Sequence, residues 1–464
     1  MKVSHSMLWL APALLLAAAL PLQAQAGNQA RHTAETAQVH AGQDPLAPVY
    51  IVTSRESFER GVKALASKTA YRRNSIGNTL VIAKMPTYRL EELSHYMHAE
   101  EGRCGGYFAF DSQAEAEAFV RNEQSAKAVS TAFLADYSIT RKGLVSAWMP
   151  QIQEANIRST ITQLSSYQNR YFTSSHGRNA AIWIRDMWLG LATGAGRSDV
   201  TAELFEACTN CSTQPSVILT IPGFNFPNEI VVLGGHLDSI RSGASGDPNM
   251  LAPGADDDAS GIATLTEILR VAMANGYRPQ RTIKFMGYAA EEVGLRGSNA
   301  IAQSFQAQGK NVVGVLQLDM TNWKSPGSTA ALNMITDNAN VTLKQFIRDL
   351  FATYMAPRGF TMTESACGYG CSDHASWTSA GFPAVMYDEG PIFQSLHTPN
   401  DRLDNMGGTA AHSVPLAQLG VAFMVELGKS RTADPTVPSL PGRGNTRPAD
   451  PTVPTLPGRH TPKR

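Results

Sequence analysis

The chain has 464 residues, 43% of them hydrophobic and 17% charged, which is enough apolar material for one large buried core and a smaller second unit. Its 39 basic and 39 acidic residues cancel. With no dense Lys/Arg run ahead of the tail, the sequence offers no electrostatic footprint for nucleic acid.

At the N-terminus, Lys2, an apolar stretch from Met7 to Leu20 and the small-x-small run Ala24-Gln25-Ala26 have the three-part form of a secretory signal cleaved after Ala26. The apolar run is shorter than the ~20 residues a membrane-spanning helix needs. Secretion without a membrane anchor is therefore expected, to an extracellular or periplasmic location. Residues 27–137 follow, with strand-like runs at Pro48–Thr53 and Thr79–Lys84 and a helical stretch from Asp111 to Ser130 rich in Ala, Glu and Gln. This reads as a compact α+β unit that carries none of the chemistry found downstream. A removable pro-segment is the expectation, against a permanent accessory domain.

From 138 to 429, apolar strands alternate with amphipathic helices, the pattern of an α/β sheet covered on both faces. Core strands are expected at Ser216–Ile221, Glu229–Gly234, Thr282–Tyr288, Val312–Leu318 and Pro383–Tyr387. The second, third and fourth each run into acidic residues or histidine, and ligands of open α/β sheets sit beyond the carboxyl ends of strands. The tail, 430–464, repeats one motif almost unchanged at Ala433–Arg443 and Ala449–Arg459. Proline at that density without a hydrophobic period builds no core, so an extended, solvated segment is expected.

Five cysteines in an exported chain favour disulfides over zinc knuckles, with Cys208 near Cys211 and Cys367 near Cys371. Cys104 is left over. It reads either as a buried free thiol or as a ligand that occupies an open metal position in the precursor.

The strand ends carry the chemistry. Residues two apart on an extended chain point the same way, so in His236-Leu237-Asp238 the carboxylate is placed to accept the ring N–H and fix the tautomer. Asp256, Asp257 and Asp258 stand just before a helix expected from Ile262 to Ala274. Helix capping accounts for one of them, Asp258, while three adjacent carboxylates call for a cation. Glu291 and Glu292 are consecutive at the end of the next strand, so one is placed to reach a metal and the other a water. Asp319 ends the following strand, and His397 supplies a second imidazole with Asp401 as its expected outer partner. With three protein ligands per ion, the count is met by Asp257 bridging, His236 and Asp319 on one ion, and Glu292 and His397 on the other. Mixed imidazole and carboxylate donors suit zinc, so two Zn²⁺ per subunit are expected, with manganese or cobalt as substitutes.

The motifs Gly234–Ser239, Ala252–Gly261, Ala289–Ser298, Leu316–Asn322 and Cys367–Trp377 together resemble the bacterial leucyl aminopeptidase family of secreted dizinc exopeptidases, over nearly all of 138–429. The resemblance implies a three-layer α/β/α fold with a mixed, mostly parallel sheet. It assigns zinc to the same five residues, the acid/base role to Glu291 and the orientation of His236 to Asp238, and it pairs Cys367 with Cys371. It also implies an inhibitory, chaperone-like pro-segment.

On that reading the protein hydrolyses the N-terminal residue from peptides with a free amine. A water bridging the zinc ions gives its proton to Glu291 and attacks the carbonyl, and Tyr369 either donates to the oxyanion or packs on substrate. Met320, Cys367, Tyr369, Cys371, Met386 and Leu396 correspond to an apolar pocket for leucine. Asp388 departs from that pattern: turned inward it would favour lysine or arginine, turned to solvent it would leave leucine preferred. A carboxypeptidase or glutaminyl cyclase on the same fold, and a non-catalytic binding module, are the competing readings. A degenerate module should lack a ligand or the base, whereas all six positions are filled. A monomer is expected.

Overall fold

The computed structural model describes residues 44–74, 77–126, 135–244 and 246–429. The expected signal segment and the proline-rich tail lie outside the described residues.

The first unit is an antiparallel sheet of β1 (Pro48–Ser54), β2 (Ser67–Arg73), β3 (Thr79–Pro86) and β4 (Tyr107–Phe110), in the order β2-β3-β1-β4. Helices α1 (Arg55–Arg60), α2 (Leu90–Glu101) and α3 (Gln113–Ala126) connect and cover it. Side chains alternate across the sheet with period two. Val49, Ile51, Val81 and Ala83 face α2, whereas Val52, Leu80, Ile82 and Phe108 face Phe119 and Val120 of α3. The expected helix from Asp111 is present as α3, and α2 is an addition to the sequence reading.

The larger unit is built on eight strands: β5 (Thr201–Phe205), β6 (Ser216–Ile221), β7 (Phe226–His236), β8 (Arg281–Tyr288), β9 (Asn311–Leu318), β10 (Leu332–Ile335), β11 (Met362–Ser365) and β12 (Ala384–Asp388). Their order is β11-β10-β12-β9-β7-β8-β6-β5. The central strands β12, β9, β7 and β8 run parallel, and antiparallel pairing enters at β6, β5 and β10. All five expected strands are found.

Helices α4 (Lys142–Trp148), α5 (Glu154–Ser165), α6 (Ser175–Gly194), α7 (Ala259–Ala274), α8 (Arg296–Ala307), α9 (Val341–Leu350), α10 (His374–Ser379) and α11 (Ser413–Leu427) complete three layers. Val231, Leu233, Phe285 and Leu316 pack with Ile161 of α5, Trp188 of α6, Ile268 of α7 and Phe423 of α11. On the opposite face, Val232, Met286 and Val315 meet Ile301 and Phe305 of α8 and Trp377 of α10. The sheet is thus mixed and the fold α/β/α, as expected.

Parallel central strands deliver their carboxyl ends to one edge of the sheet, and the smaller unit lies over that edge. Ser94 and Tyr107 hydroxyls donate to the Glu292 carbonyl, the Ala109 N–H donates to Gly294 O at 3.2 Å, and the Gly106 N–H donates to Gly370 O at 2.7 Å. Two glycines permit this approach. A Cβ on Gly294 (φ +107°) would lie 2.5 Å from Ala109 Cβ, and one on Gly105 (φ +59°) would lie 2.6 Å from Gly370 O. Apolar clusters also run across the junction, joining Tyr107 and Ala109 with Tyr171, Ala290 and Val293.

The segment around the expected boundary at 137 already belongs to the large unit. Ala135 joins its core, the Tyr137 hydroxyl donates to Val313 O at 2.8 Å, and the Thr140 and Arg141 N–H groups donate to the buried Glu426 carboxylate at 2.9 and 2.8 Å.

Candidate metal centre

Five chain segments converge at the carboxyl edge of the sheet. His236 is the last residue of β7, Glu291 and Glu292 follow β8, Asp319 follows β9, and Asp257 precedes α7. His397 arrives from the loop after β12 with φ +54°, and Met320 and Ala290 beside the site are also left-handed, at +57° and +54°. Left-handed non-glycine residues cost energy and gather where a site dictates the backbone path.

Asp257 faces both histidines. Its Oδ1 lies 2.8 Å from His236 Nε2 and its Oδ2 lies 3.1 Å from His397 Nε2. Asp319 Oδ1 stands 3.4 Å from His236 Nε2, and Glu292 Oε2 stands 2.9 Å from His397 Nε2. Each imidazole nitrogen therefore faces oxygens of two carboxylates, and a single ring proton serves only one of them. Donors on a tetrahedral ion at about 2.0–2.1 Å sit about 3.3 Å apart, close to these spacings. The five residues carry the donor types and spacings that suit a divalent metal. Glu291 is fully buried and neither of its oxygens has a hydrogen-bond partner among the described residues, as a proton acceptor for a water would require.

Electrostatics among the protein groups agree. Burial, with Asp257 nearby, raises the Glu292 carboxyl to about 7 against the pull of His397. Glu291 is pushed well up, first by burial and then by Glu292, Asp373 and Asp319, with His236 opposing. Burial also acts to raise Asp257, yet hydrogen bonds from His236 and His397 outweigh it and hold that carboxyl below its usual range. So dense a set of buried carboxylates is compensated when cations are bound.

The surrounding scaffold has parts the sequence reading missed. Asp238 lies 3.4 Å from His236 Nδ1, and its two oxygens accept the Glu291 and Glu292 N–H groups at 2.9 and 3.1 Å. Asp401 does not orient His397. Its carboxylate accepts the Asp256 and Asp257 N–H groups at 2.8 and 3.2 Å, because the left-handed turn at His397 sends the chain back under the Asp256–Asp258 loop. Asp258 caps α7 by accepting Gly261 N–H at 2.8 Å, as expected. Ser372 donates to Asp319 Oδ2 at 2.6 Å, and the fully buried Arg170 ties Leu237 O to Pro253 O and Gly254 O. Ser372 lies within the Cys367–Trp377 motif, directly after Cys371, and that was its one signal in the sequence; Arg170 had none.

Residues expected to form a side-chain pocket fall into three settings. Met320 and Leu396 cluster with Phe393 and Cys104, whereas Met386 packs with Cys371, Cys367 and Ile335. Tyr369 sets its ring edge-on to Phe108 of β4, with centroids 5.8 Å apart. Asp388 is buried, and its Oδ1 accepts from Asn333 Nδ2 and Gly390 N–H, both at 2.9 Å. Burial raises its carboxyl to about 7 against those hydrogen bonds. Both expected disulfides, Cys208–Cys211 and Cys367–Cys371, are formed.

With this geometry in hand, the likeness to known proteins is specific. Residues 216–422 match the sequence profile of peptidase family M28. The chain is 37% identical over 305 residues to leucine aminopeptidase 1 of Arthroderma otae, which covers 63% of this chain and 79% of that protein. It is 35% identical over the same length to leucine aminopeptidase 1 of Trichophyton rubrum. Among solved structures, Legionella pneumophila LapB aligns with TM-score 0.68 at 28% identity, over 82% of this chain and 100% of its own. The Legionella pneumophila LapA aminopeptidase aligns with TM-score 0.69 at 25% identity, over 84% and 100%. These relatives carry the expectation of an aminopeptidase, though from fungi as well as bacteria, and on them and the site geometry the chain belongs to peptidase family M28 as a metallo-aminopeptidase.

Proposed function

We propose that this protein is a secreted two-zinc aminopeptidase that removes large apolar N-terminal residues, leucine foremost, and is made as a precursor in which the first unit, from β1 to α3, covers the cleft. The observation that carries this reading is Asp257 offering one oxygen to each histidine, beside a Glu291 carboxylate without a hydrogen-bond partner among the described residues. His236, Asp257 and Asp319 would hold one zinc, and Asp257, Glu292 and His397 the other. When bound, the ions supply Lewis acidity that polarises the scissile carbonyl and makes water a nucleophile near neutral pH.

The chain's own groups do the rest. Glu291 takes the proton of the attacking water and passes it to the leaving amine, and burial favours a proton on that carboxyl between the two events. Asp238 fixes the backbone that carries both glutamates. Met320, Leu396 and Phe393 offer apolar surface to the substrate's first side chain. With its Oδ1 accepting from Asn333 and Gly390, Asp388 is less available to a lysine or arginine side chain, and the fungal relatives named for leucine support the same preference. Removal of the first unit opens the cleft, because α2, β4 and the turn between them rest on Glu292, Gly294 and Gly370.

The processed chain is assayed with leucine and lysine p-nitroanilides, the N-acetylated leucine compound, and a chelator followed by zinc. Hydrolysis of the free leucine compound, lost on acetylation, lost on chelation and restored by zinc, is expected. Turnover of the acetylated compound, or full activity without metal, refutes the reading; a carboxypeptidase would not need the free amine.

A further inference from the structure

We propose that Cys104 is a thiolate ligand to the zinc held by Asp257, Glu292 and His397 in the precursor, so that the covering unit closes the metal site by coordination as well as by contact. This rests on the two-zinc reading above. Cys104 sits in the turn between α2 and β4 and is the one free cysteine of the five, the other four being paired. It is buried, and its Sγ lies 3.6 Å from Asp257 Oδ2 across 153 positions of sequence. Sγ, a carboxylate oxygen of Asp257 and a ring nitrogen of His397 all lie within 4.8 Å of one another.

For a tetrahedral ion with a sulfur at about 2.3 Å and an oxygen at about 2.0 Å, the two donors stand about 3.5 Å apart. The observed 3.6 Å matches that spacing. A second observation points the same way: the buried Glu292 carboxylate, whose Oε2 stands 2.9 Å from His397 Nε2, leaves its Oε1 without a hydrogen-bond partner among the described residues, so an unpartnered donor is aimed at the same place.

The turn is held on both sides of the thiol. Arg103 pairs with Glu101 at 3.0 Å and reaches the carbonyls of Cys367 and Tyr369, while Gly106 N–H bonds Gly370 O. Three protein donors leave a zinc one open position, the one a substrate uses. A sulfur there converts an open site into a closed one. Coordination forms a zinc–sulfur bond and breaks the S–H bond, and the proton leaves to solvent. When the unit departs, water takes the position and the thiol regains a proton from solvent. A plain thiol hydrogen bond to Asp257 is the alternative.

X-ray absorption at the zinc edge of the full-length precursor decides between them, with metal content measured on the same sample. A sulfur shell at about 2.3 Å, absent from Cys104→Ser at unchanged zinc content and absent from the processed enzyme, is the expected result. Bound zinc with only nitrogen and oxygen neighbours in the wild-type precursor overturns the proposal and leaves the two-zinc reading standing. Failure of the wild type to bind zinc overturns both. Should Cys104→Ser not fold, the wild-type spectrum alone decides, since no other cysteine is free to contribute sulfur.

Discussion

Asp238→Asn is the sharpest test of how the site is held together. The wild-type carboxylate is fully buried, receives the Glu291 N–H on Oδ1 and the Glu292 N–H on Oδ2, and stands 3.4 Å from His236 Nδ1. Asparagine has the same shape but only one acceptor oxygen, so its amide NH₂ must face one of the two backbone N–H groups. One hydrogen bond to a charged acceptor is lost, worth about 1.5–3 kcal/mol, and one buried donor is stranded, so the overall cost is on the order of 3 kcal/mol. The same change loosens Glu291, Glu292 and His236 together, and loss of such outer partners lowers metal affinity or activity by about 10–100-fold. Denaturant unfolding of the processed enzyme, zinc affinity by chelator competition and kcat/KM on a leucine anilide read all three effects. A variant with wild-type unfolding midpoint, zinc affinity and kcat/KM refutes the argument, because it would mean that the two backbone contacts carry no constraint.

Glu291→Gln should reduce kcat by about 10²–10⁴ while zinc content stays at the wild-type level, since in the proposed mechanism the side chain moves protons and binds no metal; elemental analysis beside steady-state kinetics checks both halves. Burial, with Lys324 adding to it, holds His412 down at about 4, whereas an unfolded histidine titrates near about 6.5. The folded state therefore excludes the proton: the contribution is complete above about pH 6.5 and is lost as pH falls towards about 4, by at most about 3 kcal/mol. Unfolding midpoints between neutral and acid pH should fall less steeply in His412→Gln than in the wild type, and equal slopes count against the assignment.

The parts of the fold that were readable are the ones whose physics is local. β7, β8 and β9 are covered on both faces, so each is dominated by buried apolar residues, with Lys284 and Gln317 as interior exceptions, and a carboxylate or histidine at the carboxyl end stands out. That is why His236, Glu291, Glu292 and Asp319 were found by position. β5 and β11 are short edge strands with partly exposed residues, and nothing in their composition separates them from loop. Asp401 shows the same limit within the site. Four residues after His397, it invited a pairing with its neighbour, yet the backbone turn directs it to N–H groups more than 140 positions earlier.

Asp388 carries that argument to substrate preference. Read along the chain, an acidic residue at the end of a core strand has two fates, towards the ligand or towards water, and the choice decides between lysine and leucine. The structure supplies a third. β10 pairs with β12 in a register that sets Asn333 opposite Asp388, and the amide donates to the carboxylate across the two strands. β10 has four residues, all buried, and a short apolar run of that kind does not declare itself as a strand. Missing β10 therefore meant missing the partner of Asp388, and with it the interstrand hydrogen bond on which the proposed preference for an apolar first side chain rests.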